Sequence, residues 1–294
     1  METIQPEQDH FPSFEQQYKK QENIKSIVGS IDIVDIVPQE ISNPTPILLI
    51  PGWSENVSTY KKSLKTIYDE KRRVVTVGKY DKEGKYGKWD SLEAEMTKAQ
   101  LILDALDHKD LNRVDTIAHS EGAIITLLAA VLEPERFRNI VLDKPAGFIG
   151  SDTKTQLMGR FVKLMIQEAV LRPKSLSDPT GAVQAGFRTA RYCVENPQRV
   201  LQEMDALTSY DISDLMSLLR DKGVMVSVIS GVDDPLFLVS RQVENMRQAG
   251  APPIEGYYSV IGGHNELSIH PEKHTALAVN ALDSLQRKRE DSKQ

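Results

Sequence analysis

The sequence predicts an α/β protein, built on a mainly parallel, eight-stranded sheet flanked by helices, with a helical insertion over one end. Three observations lead there. Short apolar runs alternate with amphipathic stretches along most of the chain, which implies right-handed crossovers between parallel strands. The run Ile47-Leu48-Leu49-Ile50 is continuously apolar, as a strand buried on both faces must be. From about 147 to 222 the alternation stops and helical pieces follow one another without a strand.

In chain order, residues 1–22 are polar and acidic and read as a loose leader. Ile24–Val28 and Ile31–Val37 alternate apolar and polar positions around Gly29-Ser30, the pattern of a hairpin with one wet face. After Pro44 and Pro46 comes the buried strand at 47–50. Further strands are expected at Val74–Val77, Val114–Ala118, Ile140–Leu142, Val224–Ile229 and Tyr257–Ile261. Helices are expected at about 57–70, 91–107, 122–132, 238–248 and 272–287. In the second of these, Leu92, Met96, Ala99, Leu103 and Leu106 recur at three- and four-residue steps and make one apolar stripe.

The insertion divides at Pro and Gly signals into helical pieces at 153–171, 182–194, 197–208 and 211–221. Leu157, Phe161, Leu164 and Met165 share one face of the first piece, with Met158, Val162, Ile166 and Val170 on the other. Such width lets one face meet the sheet domain and the other the insertion's interior or a substrate. The expected organisation is a leader at 1–22, a core from 23–146 and 223–288, and a helical cap at 147–222.

Composition excludes several functions. A formal net charge of −6 and a pI near 5.6 offer no basic face for nucleic acid. The clusters Lys71-Arg72-Arg73 and Arg287-Lys288-Arg289 are short and offset by nearby acids. A single cysteine, Cys193, rules out an internal disulfide and thiolate-rich zinc sites. No run approaches the roughly 18 apolar residues of a membrane span, and the start lacks a secretory signal's basic and apolar parts. The expected compartment is the cytoplasm. Gly78 and the later Gly84-Lys85-Tyr86 miss the phosphate-loop spacing, and Tyr follows the lysine.

Chemistry concentrates at Val114-Asp115-Thr116-Ile117-Ala118-His119-Ser120-Glu121-Gly122-Ala123-Ile124, where a strand passes through a serine into a helix without a spacer. This is the G-x-S-x-G turn with Ala118 in place of the first glycine. So tight a turn accepts only small residues two before and two after the serine, and holds the serine strained at the sheet's carboxyl edge. Free N–H groups of the new helix can there stabilise an oxyanion. A serine hydroxyl also needs a base, and the base an orienting acid. His264 follows Gly262-Gly263 at the end of the last strand, the only one of the histidines so placed. His119 would point away from the serine and, like His10, His108, His270 and His274, reads as structural or solvated.

These residues resemble the α/β-hydrolase superfamily, in its cap-bearing esterases and lipases, from about Ile24 to Leu285. The resemblance implies a nucleophile at Ser120 and a base at His264. It implies an acid in the turn Ser230-Gly231-Val232-Asp233-Asp234-Pro235, where the family pattern selects Asp234 over its rival Asp233. It implies oxyanion donors in the backbone N–H groups of Glu121 and of Trp53, which follows Pro51-Gly52; the Trp53 side chain either lines the pocket or plugs the core. No cofactor or metal is implied. The expected activity is hydrolysis of a small-molecule carboxylic ester by a monomer or homodimer. Amides, thioesters and ketone-flanked C–C bonds suit the same machinery, and a non-catalytic ligand receptor on this fold is the contrasting alternative.

Overall fold

The fold, obtained as a computed structural model, describes residues 11–81, 91–148, 152–166, 191–195, 197–248 and 254–292. The strands are β1 (Glu22–Ser26), β2 (Gly29–Ile36), β3 (Asn43–Ile50), β4 (Arg72–Asp81), β5 (Val114–His119), β6 (Phe137–Asp143), β7 (Met225–Gly231) and β8 (Gly256–Val260). They form one eight-stranded sheet in the order β1-β2-β4-β3-β5-β6-β7-β8. β1 pairs antiparallel with β2, and β2 with β4; every later pairing is parallel. The mainly parallel sheet with an antiparallel start is the architecture the sequence predicts.

Central strands are apolar because both faces are covered. On one face, α3 (Ser91–His108), α4 (Gly122–Leu132) and α7 (Ser213–Asp221) bury Ile102, Leu106, Ile125 and Leu219 against Leu48, Ile50 and Val226. On the other, α1 (Phe14–Tyr18), α2 (Lys61–Asp69) and α10 (Pro271–Asp291) bury Leu64, Ile67 and Leu282 against Ile47, Leu49 and Ile117. The alternation along β3 therefore sends successive residues into opposite cores.

Between β6 and β7 lie α5 (Lys154–Ile166), α6 (Pro197–Ser209) and α7. The piece expected at 182–194 falls mostly outside the described residues, as do Val170 and the Gly84-Lys85-Tyr86 segment. α8 (Val239–Gln248) precedes β8 in the chain, and the short α9 (Glu266–Ile269) follows it.

The leader and the α3 stripe differ from the sequence expectation. Within 1–22, Ser13 caps α1 through a capping box, and Phe14 and Gln17 are buried, so the segment is not loose throughout. Gln17 takes the N–H of Val37 and donates to its carbonyl, which ties α1 to the end of β2. In α3, Leu92 is exposed, while Ala94, Glu95, Lys98, Ala99, Ile102 and Ala105 face inward. Hydropathy misplaced the first turn of the stripe because two of its buried positions carry charge. α7, grouped with the insertion by composition, packs against α4 and β7, the place of a crossover helix.

Candidate active site

Each site residue sits at the carboxyl edge of a sheet strand or just beyond it. Ser120 follows β5 directly and has φ +53°, a left-handed conformation rare for a side-chain-bearing residue. Its N–H donates to the Asp143 carbonyl at 3.0 Å, and its own carbonyl accepts from Ala123 and Ala146 at 3.1 Å each. Three backbone bonds thus over-determine the strained residue. The next strand but one ends in the turn carrying Asp234, and the last strand in the loop carrying His264.

The structure brings these three side chains together. His264 Nε2 lies 3.0 Å from Ser120 Oγ, and His264 Nδ1 lies 2.8 Å from Asp234 Oδ2. All three residues are buried. The other carboxylate oxygen of Asp234 accepts the N–H groups of Leu236 at 2.8 Å and Phe237 at 3.1 Å, which orients the acid. Asp233 is exposed, and its N–H donates to the Gly262 carbonyl at 3.1 Å. Phe237 packs edge-on against the His264 ring, with centroids 5.2 Å apart. The loops carrying Asp234 and His264 touch at glycines: a Cβ on Gly231 would stand 2.5 Å from the Gly262 carbonyl oxygen.

Trp53 follows Gly52 and Glu121 follows Ser120. Among the described residues, the backbone N–H of neither is taken up by a hydrogen bond. The Trp53 side chain is buried at the boundary with the insertion. Its indole N–H donates to Glu203 on α6, and its ring meets Phe161 and Tyr192 edge-on at 5.1 and 5.8 Å. Of the insertion's predicted faces, Leu157 and Leu164 are buried, Phe161 meets Trp53, and Val162 is exposed.

Sequence reasoning missed a buried charge cluster behind Glu121. Lys98 Nζ lies 2.8 Å from Glu121 Oε1, 3.1 Å from Glu95 Oε1 and 3.3 Å from Glu203 Oε1. Burial pushes the Glu121 carboxyl up to about 8, with Glu95 and Glu203 reinforcing the rise against Lys98. Burial also raises Glu95, while the surrounding carboxylates hold the Lys98 ammonium well above its ordinary range despite burial. The only sequence signal was Glu95 and Lys98 on the inward side of a helix; their partners lie too far along the chain for any local pattern.

Asp143, the last residue of β6, and Lys144, also missed, form a buried pair at 2.7 Å. Burial and Glu203 push the Cys193 thiol up, away from nucleophilic character. Of the other histidines, His108 is exposed beside Glu22, His274 is buried near Glu266, and His119 contacts the base loop through a bond to the His264 carbonyl. Among the described residues, no group of three or more His, Cys, Asp or Glu could hold a metal ion. No described helix is long and apolar enough to cross a membrane.

No protein-family model matches the chain. Solved structures do. A bacterial membrane phospholipase A, described as a virulence factor, aligns at 16% identity and a TM-score of 0.65, over 92% of this chain and 88% of its own. The serine hydrolase CCSP0084 of Cycloclasticus zankles aligns at 17% identity and 0.65, over 90% and 98%. A structure from a study of carboxylesterases of Nitrososphaera gargenis aligns at 16% and 0.64, over 91% and 100%. The chain therefore has the α/β-hydrolase fold. At such identities the likeness establishes the fold, and the chemistry must be argued from side chains.

Proposed function

We propose that this protein is a serine hydrolase cleaving carboxylic esters of small to medium size through an acyl-enzyme on Ser120. The observation that carries the reading is the continuous relay from Asp234 to His264 at 2.8 Å and from His264 to Ser120 at 3.0 Å. In this reading His264 Nε2 takes the Ser120 proton as Oγ attacks the ester carbonyl. The carbonyl oxygen gains the negative charge and is held by the N–H groups of Trp53 and Glu121. Collapse expels the alcohol, which takes the proton back from His264. A water molecule then repeats the sequence on the acyl-enzyme and frees the acid.

Asp234 holds the imidazole with Nδ1 protonated, so that Nε2 presents its lone pair to the serine. The preference for esters is supported by the named activities of the phospholipase and of the carboxylesterases that share the fold. Phe161, edge-on to Trp53, supports an apolar wall beside the proposed donors. The test pairs a series of p-nitrophenyl esters of increasing acyl length with an aminopeptidase p-nitroanilide and a fluorophosphonate probe. The expected result is ester turnover, and labelling at Ser120 that is lost in Ser120→Ala. Folded protein that neither turns over esters nor takes the label would favour a ligand-binding role.

A further inference from the structure

The relay leaves one buried titratable side chain beside it unused. His119 precedes the nucleophile and is 2% exposed, with its ring centroid 5.0 Å from that of His264. Its Nε2 lies 3.1 Å from the His264 carbonyl oxygen. Its Nδ1 lies 2.7 Å from Tyr60 Oη and 3.1 Å from Glu55 Oε2. Tyr60 donates its hydroxyl to that same carboxylate oxygen, which also accepts the N–H of Gly52 at 2.8 Å. Gly52 immediately precedes Trp53. An unbroken hydrogen-bonded chain therefore runs beneath Ser120 from the loop with one proposed oxyanion donor to the loop with the proposed base.

We propose that His119 is a positioning residue that clamps the base loop to the oxyanion loop, with Glu55 and Tyr60 as its anchor. The inference rests on the hydrolase reading above and adds a residue to it.

Proton counting fixes how many protons the clamp shares, and the charges around it place them. A carbonyl oxygen only accepts, so the His119 Nε2 facing it carries a hydrogen. On the other side, Nδ1, the Tyr60 oxygen and Glu55 Oε2 form a triangle of mutual close contacts. With Nδ1 a lone pair and Glu55 ionised, one phenolic proton would serve all three contacts, and a lone pair would face a carboxylate at 3.1 Å. With Nδ1 protonated, it donates to Tyr60 and Glu55 while Tyr60 donates to Glu55. The imidazolium with an ionised Glu55 satisfies every contact.

The charges around the ring agree. Burial works to lower the His119 pKa, but the Glu55 charge and hydrogen bond raise it above the ordinary histidine range, with Asp143 adding to the rise and Lys144 opposing it. Burial works to raise Glu55, yet His119, Tyr60 and the Gly52 N–H hold it below the ordinary carboxylate range. The packing leaves no slack. A Cβ on Gly52 would lie 2.8 Å from Glu55 Oε2, 2.9 Å from His119 Nδ1 and 3.1 Å from Ser120 Cβ.

The experiment combines histidine-selective ¹⁵N NMR of the intact protein with kinetics of His119→Phe, Glu55→Gln and the milder Tyr60→Phe. In the parent, His119 should keep both ring protons at pH 7, and Glu55→Gln should lose one. Turnover of a p-nitrophenyl ester and the rate of fluorophosphonate labelling should both fall about 10- to 100-fold in His119→Phe and Glu55→Gln. KM should change little, because the clamp orients donors and base and does not hold the ester. Tyr60→Phe should show a smaller loss in the same direction. A parent His119 with a bare Nδ1 at pH 7 would overturn the clamp, as would variants that label and turn over at the parental rate. A parent that neither labels nor hydrolyses would instead remove the hydrolase reading and, with it, the catalytic consequence, while the NMR still decides the bridge.

Discussion

At Ser120 the backbone is left-handed because two constraints meet: β5 must end at this residue and α4 must begin at once. Gly122 shows how tight that is. A Cβ there would stand 2.6 Å from the Pro51 carbonyl oxygen, a backbone atom that cannot swing aside. Gly122→Ala is therefore expected to lower both ester turnover and thermal stability, measured by p-nitrophenyl ester assay and melting temperature. The small residue after the serine was legible in the sequence for this reason. The choice between neighbouring aspartates rested on a family pattern and not on the residues' own spacing, because strand alternation fails inside a turn. With Asp234 Oδ2 at 2.8 Å from the imidazole and Asp233 exposed, the two should separate sharply. Asp234→Asn should lower kcat by about 10⁴-fold, the scale seen when a triad acid is made neutral, whereas Asp233→Asn should stay near the parent. A shared loss would point to a misplaced turn.

Elements carry the next level of the design. α3 presents Lys98 to its own Glu95, to Glu121 in the turn after β5 and to Glu203 on α6, which also reaches the Trp53 indole. One charged cluster thereby joins the inserted helices, the turn at Ser120 and the loop carrying Trp53. Removing its cation strands buried carboxylates, so Lys98→Met should destabilise the protein by about 3–5 kcal/mol in urea unfolding. The pH response follows from Glu121. Its carboxyl titrates near 8 in the folded chain, against an ordinary 4.5. Below pH 4.5 both states hold the proton and the group's stabilising contribution is complete. As pH rises, the unfolded chain releases its proton first, so that contribution fades up to about pH 8. Glu121→Gln should accordingly lose less stability than the parent between pH 5 and 8, in denaturant titrations across that range. Sequence periodicity located α3 but shifted its buried stripe, because a pattern built on hydropathy cannot count a lysine and a glutamate as interior.

Across the whole molecule the two ends of the sheet do different work. At the carboxyl edge the strand ends converge on Ser120. Near the amino edge, Asp115 accepts from Arg72 at 3.1 Å and Arg138 at 2.8 Å, and Arg72 continues to Asp283 on α10 at 3.0 Å. This buried network joins β4, β5, β6 and the last helix. Asp115→Ala should cost about 3–5 kcal/mol of stability, since among the described residues it leaves the half-buried Arg138 without its carboxylate and Arg72 with Asp283 alone. The kcat of the folded fraction should hold close to the parent, because the change lies at the far end of β5 from Ser120. A proportional loss of kcat per folded molecule, by active-site titration, would contradict that separation.

The amino-acid sequence by itself determined the layered α/β architecture, the strand and helix order, and the tight turn that carries Ser120. Each of these is written in short-range periodicity, small residues and turn chemistry, which act between near neighbours. Tertiary structure alone decided which aspartate meets the imidazole and where the Lys98 partners come from. It also decided that His119, Glu55 and Tyr60 link two loops beneath Ser120. Those contacts join residues separated by tens to hundreds of positions in the chain, and they depend on how the strand ends converge. A buried charge is stable only with partners around it, and nothing in a local pattern records which distant segment will bring them.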